Sequence, residues 1–157
     1  MQSSSEIVNE AMKESKIAEY VLEITNKVIK DKKIVVSTLM HLKKSITLSV
    51  KAYLTFKKEK GEIHNVFEDE YLSLDYFMNN YSIHFALNAD SKNNIATIFN
   101  SLKSYDLRGM VLEKNDKYTF ISENYELINF KFEELKKFIK TALDLSKEVE
   151  AKINDRH

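Results

Sequence analysis

Lys44, Lys51 and Lys58 recur at every seventh residue, with Lys43 and Lys57 beside them. On a helix this spacing lines up ammonium groups, an arrangement able to track a phosphate backbone. Arg108 is the only internal arginine and the natural addition, because a guanidinium grips phosphate with two parallel hydrogen bonds. A solvated helix face, its lysine stems lying over apolar neighbours, explains the stripe more simply. Two features favour that simpler reading. Formal net charge is zero, and every basic residue but Arg108 and Arg156 is lysine. A basic, arginine-rich surface is what a dedicated nucleic-acid binder usually shows.

The remaining chemistry-bearing residues give weaker patterns. His41 has only Ser37 and Ser45 one helical turn away, so no metal-binding histidine pair forms there, and a hydrogen-bonded interior or interface histidine is expected. His64 and His84 stand in or near loops without partner carboxylates at ligand spacing. Glu68-Asp69-Glu70 reads as the acidic start of a helix rather than an acid–base pair. The aromatics between Phe67 and Phe85 can line a ligand pocket or stack bases, but such clusters more often close one end of a core. No phosphate loop, nucleophile elbow or metal motif is present, so no catalytic residue, metal or cofactor is expected.

The elements that must carry these residues are mainly helices. From Ile34 to Lys60, the residues Val35, Leu39, Leu42, Ile46, Val50 and Tyr53 form an apolar stripe at steps of three and four. Beside it runs a seam of small residues, Thr38, Ser45 and Ala52, open to close approach by another helix. A helix with two such faces belongs at the centre of a packed structure. Before it, Ile7, Ala11, Ala18, Leu22 and Ile29 mark a helix capped within Ser3–Ser5 and ended by the charged break Lys30–Lys33. After it, Gly61 suits a left-handed helix end. Further helices are expected over about 67–81 and from Asp90 or Ser91 to just before Gly109.

The period then changes. Met110–Lys114 and Lys117–Ile121 read as two strands around an Asn115-Asp116 turn, and Tyr125–Phe130 is a candidate third extended piece. Helical spacing returns from Phe132 through Leu135, Phe138, Ala142, Leu145 and Val149. The fold class is therefore all-α in the main: an antiparallel bundle of about five helices, with a small β-hairpin before the last. At 157 residues the chain is one domain, 1–157. It has no cysteine, no leader-like N-terminus and no run of the ~18 apolar residues a membrane span needs, so a cytoplasmic protein is expected.

Three stretches carry a resemblance: Val28–Lys33, Leu39–Tyr53, and Arg108–Tyr125 leading into Glu133–Ile139. Together they resemble the HEPN-like helical-bundle proteins, in particular an uncharacterised archaeal group. Catalytic HEPN ribonucleases carry a closely spaced Arg and His near the start of a late helix. Here Glu113, Lys114 and Asn115 follow Arg108 at the matching spacing, without a histidine, so the resemblance does not imply cleavage. It implies a homodimer formed through helices, or a regulatory partner of a nucleotidyltransferase. The leading expectation is thus a non-enzymatic interaction module, and the alternative is an RNA-binding or RNA-cleaving module using Lys44, Lys51, Lys58 and Arg108.

If the central stripe is buried, Leu42→Ala costs about 2–5 kcal/mol of stability, the usual loss for truncating a large core side chain. Urea unfolding measures it, and a loss under about 1 kcal/mol would mean that another face of this helix is the buried one.

Overall fold

The computed structural model describes residues 2–28, 31–107 and 109–155. Among them run helix α1 (Ser4–Val28), α2 (Lys32–Glu59), α3 (Glu70–Asn80) and α4 (Ala89–Asp106), strands β1 (Met110–Lys114), β2 (Lys117–Ile121) and β3 (Leu127–Lys131), and helix α5 (Glu134–Asn154). The chain is mainly helical, and no described helix is long and apolar enough to cross a membrane. Ile29 and Lys30, expected at the end of the first helix and the start of the break, lie outside the described residues.

Helix α2 is the centre. It touches each of the other four α-helices and β1. Its start is set by Asp31, whose carboxylate accepts the Lys33 N–H, and the charged break expected at 30–33 contains this cap. Its end is a Schellman turn. The Gly61 N–H donates to the Lys58 carbonyl, the Glu62 N–H to that of Lys57, and Gly61 takes φ +76°. Between the caps, Val35, Leu39, Leu42, Ile46, Val50, Tyr53 and Leu54 are buried, with Leu42 fully so.

The small-residue seam is also buried, at Thr38, Ser45 and Ala52 alike. This is the face the sequence leaves open to close approach by another helix. Helix α1 occupies it. Ser45 Oγ donates to the Ala11 carbonyl at 2.7 Å and is hydrogen-bonded to Ser15 Oγ. Since the one Ser45 proton goes to the carbonyl, Ser15 is the donor in the second bond. The contacts run Glu14 with His41 and Ala11 with Ser45, so α1 and α2 are antiparallel. α5 then packs against both.

Around Tyr53 gather the rings of Phe77, Tyr81 and Phe85, with centroids 5.8, 5.2 and 5.0 Å away and planes steeply crossed. Most of the 67–85 aromatics therefore close one end of the core. Helix α3 starts later than its apolar spacing suggests, at Glu70, because the Asp69 carboxylate caps Tyr71 and Leu72. Likewise α4 starts at Ala89: Asn88, rather than Asp90 or Ser91, is its cap and accepts from the Ser91 N–H.

The expected hairpin is a three-stranded antiparallel sheet in the order β1-β2-β3. Asn115 and Asp116 both take positive φ, 52° and 64°, so the turn is of the tight mirror-image type even without glycine. β3 pairs fully with β2 and supplies Phe130. That ring stacks on Phe120 and meets Phe138 of α5 edge-on at 5.3 Å, which anchors the sheet to the helices. On the outer face the register forms rows. Met110, Ile121 and Leu127 align across the strands at one end, and Lys114, Lys117 and Lys131 at the other.

Gly109 joins α4 to β1, and a Cβ there would overlap the carbonyl oxygens of Ser104 and Ile121. Both are backbone atoms held by helix and sheet. Gly109→Ala is expected to cost about 2–3 kcal/mol. Gly61→Ala has open space and suffers only from its positive φ, about 1 kcal/mol. Thermal or urea unfolding of the two variants checks the order; equal losses would contradict it.

Candidate functional site

The lysine stripe lies on α2, and the structure divides it by charge pairing. Lys44 reaches the Glu14 carboxylate of α1 at 3.2 Å. Lys43 pairs with Glu70 at 2.6 Å and sits over the Tyr71 ring. Lys57 pairs with Glu62 at 2.8 Å, over Tyr53. Burial pulls the Lys43 ammonium down, but Glu70 and the Tyr71 hydroxyl outweigh it and hold its pKa above the ordinary value. The Glu62 bond raises Lys57 in the same direction. These three cations are therefore paired, although Lys44 keeps 62% of its side chain exposed. Lys51 and Lys58 have no carboxylate at ion-pair distance among the described residues.

Lys51 and Lys58 instead line a groove of about 540 Å³ between the start of α1, the C-terminal half of α2 and the 62–69 segment. Seven residues of helix separate them by ~10 Å along the axis. Thr55 lies between them on α2, Gln2 and Ile7 come from the first residues of the chain, and Asn65, Val66, Phe67 and Glu68 form the far wall. Phe67 crosses the Tyr76 ring steeply, with centroids 5.4 Å apart, and leaves 45% of its surface exposed. Lys44 lies outside this groove. It lines a smaller one with Met40, Lys43, Thr47 and Asp106, whereas Lys51 and Lys58 share the larger groove. Arg108 lies outside the described residues. Sequence reasoning did not single out Phe67 and Asn65 individually. The available signal was that Phe67 precedes the Asp69 cap and so falls outside the helical period of its aromatic neighbours.

His41 has a partner that no local spacing reveals. Its Nδ1 lies 2.7 Å from Glu14 Oε2, across the α1–α2 contact. One carboxylate thus bridges His41 and Lys44, and its side chain is 14% exposed. Burial pushes the Glu14 pKa up, but the bonds and charges of His41 and Lys44 prevail and hold it below the ordinary glutamate value. Among the described residues, no three His, Asp or Glu side chains gather as a metal site. Tyr118 is buried in the sheet's inner face, and burial with the nearby Glu113, Asp116 and Asp31 charges pushes its pKa up to about 12.

No family model matches the chain, and neither the curated proteins nor the solved structures contain a match to it.

A lowered carboxylate pKa stabilises the fold above the ordinary glutamate range, and this contribution is lost as pH falls through the lowered value. Glu14→Gln should cost about 1–3 kcal/mol at neutral pH, because His41 and Lys44 lose a shared charged acceptor. The variant should also lose less stability than the parent on acidification. Urea titrations at neutral and acidic pH measure both, and identical acid sensitivity would rule out Glu14 as a contributor.

Proposed function

We propose that the chain is a non-enzymatic helical-bundle interaction module that pairs with a second copy of itself through the outer face of α1. The observation that carries this reading is a line of large apolar side chains facing solvent. Ile17, Tyr20 and Ile24 are 40%, 64% and 47% exposed, on the side of α1 opposite its buried residues Ala11, Ala18 and Leu22. Their spacing, three then four residues, is the seam spacing of paired helices.

The flanking charges support a two-fold antiparallel arrangement. Turned about Tyr20, Ile17 of one copy meets Ile24 of the other, and the reverse contact follows by symmetry. Lys16 and Glu23 lie exposed along one flank of the stripe, and neither has an ion-pair partner among the described residues. In the antiparallel pair, Lys16 of each copy approaches Glu23 of the other. The HEPN-like resemblance of the Arg108–Tyr125 stretch agrees with pairing through helices, though through a face other than the small-residue seam that α1 fills. A nucleotidyltransferase partner belongs to the same proposal and rests on that resemblance alone.

Light scattering or sedimentation across the micromolar range tests the pairing. The parent chain should shift from monomer to dimer. Ile24→Glu should weaken the dimer by about tenfold or more without lowering thermal stability, because the side chain is half exposed in the monomer. Lys16→Glu should weaken it less, since exposed ion pairs contribute only about 0.2–1 kcal/mol, and adding Glu23→Lys should restore it. A parent chain that stays monomeric throughout would overturn the proposal.

A further inference from the structure

We infer that the groove between Lys51, Lys58 and Phe67 binds single-stranded nucleic acid, with a phosphodiester between the two ammonium groups and a base against the exposed ring. The argument starts from the division of the α2 stripe. Three of its five lysines are quenched by Glu14, Glu70 and Glu62. The two that are not are those that line the groove. Two ammonium groups on one wall, with no carboxylate at ion-pair distance among the described residues, repel each other mildly, and an anion between them removes that cost.

Charge and shape narrow the ligand. The groove holds two ammonium groups and one carboxylate, Glu68, so its formal charge is one positive. That matches the single charge of a phosphodiester better than the nearly double charge of a terminal phosphate. Its volume of about 540 Å³ falls within the ~300–1,000 Å³ range of ligand clefts. Thr55 and Asn65 offer hydroxyl and amide groups to sugar and phosphate oxygens. The Gln2 amide nitrogen is already tied to Glu10, which leaves its carbonyl oxygen as an acceptor. Phe67, half exposed and backed by Tyr76, supplies a flat surface on which any base can stack. Lysines tracking the backbone and an aromatic platform for bases are the two elements of sequence-tolerant single-strand binding.

Fluorescence anisotropy of a labelled short oligonucleotide, titrated with the full chain at low and at physiological salt, tests this. The parent chain should bind, with affinity falling as salt rises at a logarithmic slope of about −0.7, as one neutralised phosphate requires. Lys51→Glu with Lys58→Glu should weaken binding at least tenfold and flatten the slope. Lys136→Glu with Lys147→Glu, an equal charge change on α5, should leave binding within about twofold. Phe67→Leu keeps the apolar packing while removing the ring, and should weaken binding about fivefold or more. Absence of binding at low salt, equal loss in both charge-reversal pairs, or an unchanged Phe67→Leu would each overturn the inference. Tighter binding of a free mononucleotide than of the oligonucleotide would overturn the phosphodiester assignment.

Discussion

The contact between α1 and α2 is the constraint on which the rest of the structure depends. Small side chains at Ala11, Ser15, Ser45 and Ala52 let the two helix backbones come close, and hydroxyl groups then lie where no water reaches. A buried hydroxyl without a partner would cost more than its bond returns, so Ser15 and Ser45 satisfy each other and the Ala11 carbonyl. That chain of bonds exists in one register only. Sliding α1 by a turn would strand the hydroxyls and part Glu14 from His41 and Lys44. With the pair locked, α5 has a fixed surface to cover, and the sheet has a fixed α5 to rest on through Phe130 and Phe138.

Much of this was legible in the sequence because helices announce themselves locally. The apolar stripe of α2, the Gly61 end, and the helical period from Phe132 onward are all patterns within one segment. The buried residues of α2 include every member of that stripe. What could not be read is which element covers which face. Thr38, Ser45 and Ala52 looked like a face in want of a neighbour, and nothing local says that the neighbour is the helix just before. Tyr125–Phe130 showed extended character, but only pairing with β2 makes residues 127–131 a strand of the sheet.

The candidate site divides along the same line. The periodic lysines are plain in the sequence, whereas the carboxylates that quench three of them come from α1, from α3 and from the turn after α2. Glu14 and Lys44 are separated by a whole helix reversal. The groove wall from Asn65 to Glu68 belongs to a loop, where no periodicity exists to be read. Charge patterns along one helix therefore report where cations are, and the tertiary pairing decides which of them remain available to a ligand.

The three-stranded sheet has two open flanks, β1 and β3, each only five residues long. Unpaired strand flanks invite a strand from a neighbouring molecule to add itself, the first step toward fibres. Lys114 and Lys131 terminate these flanks at one end of the sheet, and Lys117 stands between them in the same row. An incoming ladder would gain few hydrogen bonds before meeting that cluster of ammonium groups. The lysine row thereby disfavours strand addition at that end of the sheet.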